Sequence, residues 1–213
     1  MTNVDVPPTT IQRLPIYLRC LMQAQAMRMP VINSLGIAEM AGTNAAQVRK
    51  DLSYLGELGT RGIGYDVDSL IAHILKWLGL TEVRRSAIVG YGRLGSSLQS
   101  YPGFEDRGFV MVAILDADPE KVGQRVGDIV VDPIGDLERI VAEKNVEIIL
   151  LTVPAEVAQA VADQAVSAGV KAILNFAPVR LDVPSDVAVR HADLSVDLQV
   201  LSFHLNKTRT TDS

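Results

Sequence analysis

Residues 86–95 read SAIVGYGRLG, a short apolar run followed by three glycines spaced G-x-G-x-x-G. The run has the length and character of a buried strand. The glycines turn it directly into a helix beginning near Leu94. The rest of the chain repeats that alternation. FVMVAILD (109–116) reads as a second strand and DIVV (128–131) as a short third. A helix from Ile134 to Lys144 leads to VEIILLTVP (146–154), and a helix from Ala155 to Ala168 ends at Gly169. VKAILNFAP (170–178) and DVAVRH supply a fifth and a sixth strand. Short apolar strands separated by helices predict a Rossmann-like, doubly wound parallel sheet.

Each glycine then has a chemical task. Gly90 makes the tight turn, Gly92 lets backbone approach a pyrophosphate, and Gly95 permits close helix packing. Tyr91, Arg93 and Leu94 complete the loop, whose helix start offers free N–H groups to phosphate. Asp116 ends the next strand and can accept hydrogen bonds from ribose hydroxyls. Asp118 adds a second negative charge, with no Arg or Lys between them. A 2′-phosphate is repelled there, so NAD is expected over NADP. Val153 and Pro154 in TVP, with Phe176, Ala177 and Pro178 in NFAP, end strands at the carboxyl edge where the nicotinamide ring is expected.

The first 80 residues read differently. Ile11, Leu14, Leu18, Leu21 and Met22 repeat at helical spacing after the cap candidates Thr9 and Thr10, and Met29-Pro30 stops the helix. A second helix fits Ser34 to Met40, with Leu35, Ala38 and Met40 inward. After the turn at Ala41-Gly42, Thr43 or Asn44 caps a third helix running to about Leu58. Two helices joined by a short glycine turn predict a helix-turn-helix. Val48, Leu52 and Leu55 form the buried stripe of the third helix. Lys50 lies opposite it, flanked by Ala46, Ser53 and Tyr54 with Arg49 to one side, a small, polar and basic face that suits a DNA major groove. The plainer alternative is a solvated helix face with two positive charges.

GTRGIGY (59–65) favours the DNA reading. Its glycines predict a hairpin of unusual backbone angles, with Thr60, Arg61 and Gly62 near the tip. A basic hairpin after such a helix is a wing, and arginine there suits a narrow minor groove. The alternative is an ordinary turn bearing a surface arginine. Asp68 is then expected to cap a helix through Leu78, and LTEVRR (80–85) to be the linker. Expected domains are 1–80 (winged helix), 81–192 (nucleotide binding) and 193–213 (final helix and tail).

Charge follows the same division. The net charge is −5, but residues 1–80 carry seven Lys/Arg against six Asp/Glu, and residues 81–213 carry thirteen against nineteen. The two parts are therefore expected to have different partners. The single cysteine, Cys20, allows no disulfide within the chain, and the N-terminus lacks a signal-peptide layout; both fit a cytoplasmic location. No apolar run reaches the length of a membrane span, and neither membrane nor metal is expected as a partner.

A dinucleotide fold invites the reading of a dehydrogenase. Hydride transfer needs an acid or base at the carbonyl. The three histidines, His73, His191 and His204, stand in no polar cluster, and the chain has no separate substrate domain. No catalytic residue is assigned. An NAD-dependent oxidoreductase and an NAD-binding scaffold whose N-terminal helices only dimerise remain alternatives on these grounds.

The motifs QVRKDLSYLGELGTRGIGYDV, VGYGRLGSSL, YPGF, LLTVP and ILNFAPV stand in one order along the chain. In that order they resemble the Rex family of bacterial redox-sensing transcriptional repressors, from about residue 10 to 206. The resemblance implies a homodimer with a winged-helix domain, a Rossmann domain and a final helix, about Asp193 to Asn206, exchanged between subunits. It implies binding to palindromic double-stranded operator DNA in the apo or NAD+ form, and release when NADH binds. NAD+ and NADH differ by the charge of the ring, and an apolar pocket desolvates the cation at greater cost. The resemblance, with the chemistry of a carboxylate facing arginine or a tyrosine hydroxyl, also points to a switch through Arg19, Tyr101 and Asp193. Leu194 departs from relatives that carry an aromatic residue there, so the nicotinamide contact is expected to differ.

Overall fold

The computed structural model describes residues 6–60 and 62–211. The chain divides into two compact units, one up to Glu82 and the other from Val83.

The first unit is built from helices around one apolar cluster. Helix α1 (Pro8–Ala26) opens on a proline at its first position, whose missing N–H costs nothing there. Thr10 is therefore not a cap. It lies within the helix, buried, as do Leu14, Tyr17, Leu18, Cys20, Leu21 and Ala24. Ile11 and Met22, expected in the stripe, are exposed, because the buried stripe runs through Tyr17 and Ala24 instead. Strand β1 (Val31–Ile32) leads to α2 (Ser34–Ala41), capped by Asn33 through a 2.9 Å bond from the Gly36 N–H. Ile37 and Ala38 face the core; Leu35, expected inward, is exposed.

Gly42, left-handed at φ 65°, ends α2, and Asn44 caps α3 (Ala45–Ser53). The helix stops five residues short of the expected Leu58, because the chain turns at Tyr54–Leu55 and Leu55 still reaches the core. Strand β2 (Tyr65–Asp66) pairs antiparallel with β1. Asp66, not Asp68, caps α4 (Val67–Trp77), accepting the Ser69 N–H at 2.8 Å. Asp68 instead accepts from the Gln25 amide at 2.7 Å, tying α4 to the end of α1. Leu70, Ile71 and Ile74 complete the core.

The second unit is the parallel sheet. Strand β3 (Arg84–Val89) begins two residues earlier than its apolar run, since the backbone of Arg84 and Arg85 already pairs with β4 (Phe109–Asp116). Helix α5 (Arg93–Gln99) follows the glycine loop. Strands β5 (Arg125–Val126) and β6 (Ile129–Pro133) form an edge hairpin, and a 3-10 turn (Ile134–Asp136) precedes α6 (Leu137–Lys144). Strand β7 (Ile148–Leu151), helix α7 (Ala155–Ser167), β8 (Ala172–Asn175), β9 (Ala188–His191) and α8 (Leu194–Thr211) complete the described chain.

The strand order is β5-β6-β4-β3-β7-β8-β9. All pairs are parallel except the short β5–β6 edge, which the sequence pattern did not predict because two residues carry no periodicity. Chain order reverses between β3 and β7, and such a reversal opens a crevice at the carboxyl ends of the strands.

Candidate functional site: a dinucleotide cleft and a basic helix face

A cleft of about 800 Å³ lies at that reversal. Gly90, Gly92, Asp116, Val153 and Pro154 line it, together with Asp118, Thr152 and the first turns of α7. Gly90 holds φ 100°, and a Cβ there would sit 2.7 Å from the Thr152 carbonyl oxygen. Gly95 packs so closely that an added Cβ would collide with the Gly90 carbonyl oxygen. Gly92 has open space beside it, as a backbone that must receive a bulky phosphate requires. The Thr152 hydroxyl donates to the Gly90 carbonyl at 2.6 Å and pins the loop to β7. That threonine, within the TVP motif, both lines the cleft and holds the loop.

Asp116 is nearly buried. It accepts the Tyr91 N–H at 2.5 Å and the Asp118 N–H at 2.8 Å. A carboxylate has about four acceptor positions, and the Lys121 ammonium, 3.4 Å from each oxygen, shares them, so a ribose hydroxyl would compete with Lys121 there. The gap between Asp116 and Asp118 in sequence holds no cation, yet Lys121 turns back and places its ammonium 3.4 Å from both carboxylates. Burial opposes its charge, but Asp116 and Asp118 hold the ammonium above its ordinary value. The acidic pair is thus half neutralised. The repulsion expected of this pair toward a 2′-phosphate is correspondingly weaker. Sequence reading missed Lys121 because it sits beyond the strand, where only the turn from Asp118 to Lys121 brings it back.

Other expected cofactor residues fall elsewhere. Arg93 and Leu94 are exposed at the start of α5, and Tyr91 is half-buried. Phe176, Ala177 and Pro178 follow β8, one strand further on, and do not line the cleft. Asn175 holds that turn: its oxygen accepts the Ala177 N–H at 2.9 Å and its amide donates to the Val179 carbonyl at 2.8 Å. Tyr101 packs edge-on against Phe104, ring centroids 5.1 Å apart. Asp193 accepts from the Ser195 N–H at 2.9 Å and from its hydroxyl at 2.6 Å, capping α8, and these bonds hold its carboxyl below the ordinary range. Arg19 is exposed on α1.

In the first unit a groove of about 840 Å³ runs between α2, α3 and the hairpin. Arg49, Ser53, Thr60 and Gly62 line it. Lys50 is exposed and Tyr54 half-buried at the end of α3. Arg49 donates to the Ser34 hydroxyl at 3.0 Å. Thr60 and Gly64 exchange backbone bonds at 2.8 and 3.0 Å across the hairpin tip. Gly62 and Gly64 have positive φ as expected. Gly59 has an ordinary angle; it lacks room instead, because a Cβ would lie 2.7 Å from the Tyr65 ring. Arg61 lies outside the described residues.

Beneath this face sits a cluster that sequence reading missed. Asp51 of α3 is fully buried. It accepts from the Thr10 hydroxyl (2.8 Å), the Tyr17 hydroxyl (2.7 Å), the Gln47 amide (2.9 Å) and both Nε and Nη2 of Arg13 (2.6 and 2.8 Å). Burial alone would raise its carboxyl; the donors, Arg13 foremost, outweigh burial and hold it down at about 2. In return the bond to Asp51 lifts the Arg13 guanidinium, and burial followed by the same carboxylate lifts the Tyr17 hydroxyl. The available signal was a lone Asp one position beyond Lys50, at the edge of an apolar stripe.

Among the described residues no group of three His, Cys, Asp or Glu is placed to hold a metal, and no helix is long and apolar enough to cross a membrane.

Known proteins match both units. A family model described as a CoA binding domain matches residues 81–179, and one described as a putative DNA-binding protein N-terminus matches residues 5–53. The chain is 47% identical over 208 residues to the redox-sensing transcriptional repressor Rex of Streptomyces griseus, covering 98% of this chain and 82% of that one. It is 47% identical over 207 residues to Rex of Carboxydothermus hydrogenoformans, covering 97% and 100%. Among solved structures, RSP in complex with β-NADH superposes with a TM-score of 0.89 at 34% identity, covering 98% of each chain. RSP in complex with β-NAD+ and operator DNA superposes with a TM-score of 0.91 at 35% identity, covering 97% of this chain and 95% of that one. With relatives this similar over nearly its whole length, the chain belongs to the Rex family of redox-sensing transcriptional repressors.

Proposed function

We propose that this chain acts as a homodimer that holds a palindromic operator when apo or NAD+-bound and lets it go when NADH enters the cleft. One observation carries the reading: a single chain joins a glycine-walled dinucleotide cleft to a basic helix face beside a hairpin groove. Gly90, Gly92 and Gly95 with Tyr91, Arg93 and Leu94 surround the pyrophosphate, and Asp116 takes the ribose. Val153 and Pro154 wall the ring, and Phe176, Ala177 and Pro178, which lie outside the cleft after β8, are assigned to the ring's outer side, at the next strand end. Lys50 and Arg49 address the major groove with Ser53 and Tyr54, while Thr60, Arg61 and Gly62 form the wing.

A ligand moves an equilibrium only through unequal affinity for its two states. The apolar wall favours the neutral ring, so NADH selects the state that does not fit DNA. Arg19, Tyr101 and Asp193 relay the choice: Asp193 pairs with Tyr101 in one redox state and with Arg19 in the other. Helix α8 carries Leu194, Val196, Leu198, Val200 and Leu201, all exposed in the single chain. That supports its burial in a second subunit and a dimeric operator site. Residues 1–80, 81–192 and 193–213 serve as DNA-binding domain, cofactor domain and exchanged helix, in a cytoplasmic protein. The test is operator binding by fluorescence anisotropy at fixed total dinucleotide and varied NADH/NAD+. Affinity should fall steeply as NADH rises; a flat profile would end the proposal.

A further inference from the structure

The Asp51 cluster sets the chemistry of one reading position. Gln47 sits on α3 four residues before Asp51, beside Lys50 on the helix surface and only partly buried. Its amide nitrogen lies 2.9 Å from Asp51 Oδ1. A carboxylate gripped by both arms of Arg13 is ionised and can only accept. Gln47 must therefore offer Asp51 its NH2 group, and cannot turn over without setting oxygen against oxygen beside a buried charge. Its carbonyl oxygen is left as the end directed away from Asp51, fixed as an acceptor. The same carboxylate takes Thr10, Arg13 and Tyr17 of α1, so the orientation is anchored in the core and not in a surface rotamer.

We propose that Gln47 is a specificity-determining residue of the operator interface. Asp51 acts as its positioning residue and leaves the Gln47 oxygen to read a base carrying an exocyclic amine. In the major groove those donors are adenine N6 and cytosine N4; guanine and thymine present acceptors at the corresponding place. The inference rests on the operator-binding role of α3.

The test uses the full chain and a palindromic duplex selected from a random pool. Each adenine is replaced in turn by purine, and each cytosine by 2-pyrimidinone, so that a single amine is lost. For the wild type, one position per half-site should cost about tenfold in affinity. Gln47→Met, close in length and without polar atoms, should be indifferent at that position and normal elsewhere. The double variant Arg13→Met/Asp51→Asn removes both charges and leaves no unpaired buried ion. The neutral carboxamide then in place of the Asp51 carboxylate can face either end of the Gln47 amide, so the dependence on the amine should vanish there too. Amine dependence retained in Gln47→Met would overturn the reading role. Dependence lost in Gln47→Met but retained in the double variant would overturn the positioning role. A wild type that selects no duplex would instead defeat operator binding by α3.

Discussion

At Gly95 even one methyl group is too much. Because an added Cβ would collide with the Gly90 carbonyl oxygen, Gly95→Ala must push α5 off the loop. NADH affinity measured by calorimetry should drop at least about tenfold, since the phosphate approach depends on that packing. The basic residues of the DNA face should separate by readout. Lys50→Ala should cost about 1–3 kcal/mol of operator affinity and relax base preference, as loss of a groove contact does. Arg61→Ala should weaken all sequences alike and reduce the salt slope by about one, as loss of a backbone contact does. Anisotropy titrations over a range of salt check both. A salt slope unchanged in Arg61→Ala would remove that residue from the interface.

Helices and strands were legible where burial follows a period. The sheet strands carry unbroken apolar runs, and β4 occupies Phe109–Asp116 as its run predicts. The glycine loop was legible because its glycines answer to backbone collisions that no other residue survives. Lys121 and the Asp51 cluster were not, because each depends on side chains meeting across elements far apart in sequence or folded back by a turn. Two helix starts were misplaced for a local reason: α1 opens on Pro8 with no side-chain cap, not on a threonine, and Asp66, two residues before Asp68, takes the Ser69 N–H. The cluster gives α3 an acid sensitivity. Asp51 is held at about 2 against an ordinary 3.8, so its contribution is complete above about pH 4 and disappears as pH falls through about 2. Acid titration followed by circular dichroism should show the wild type losing more stability across that window than Arg13→Met/Asp51→Asn. Equal losses would mean the carboxylate is not anchored. For α8, Leu198→Asp/Leu201→Asp places charge on an exposed apolar face. Sedimentation should then show a dimer for the wild type and monomers for the variant; a variant that still dimerises would rule out that helix as the interface.

Across the whole molecule, coupling between cofactor and operator must run both ways. If NADH lowers operator affinity by a given factor, bound operator lowers NADH affinity by the same factor. Calorimetry of NADH with and without saturating operator measures the second number, and anisotropy the first; the two should agree. Asp193→Ala should keep apo operator binding and blunt that factor towards one, while normal release at normal NADH affinity would remove Asp193 from the relay. A different consequence follows from the core of the first unit. Its cysteine, the sole thiol of the chain, is 3% exposed among the side chains of α1, and burial raises it above its ordinary value. Thiolate, not thiol, reacts with peroxides and alkylating agents. A sealed sulfur whose thiolate is disfavoured by burial should react slowly in the folded chain, which makes iodoacetamide labelling of the native chain a gauge of how often the DNA-binding unit opens.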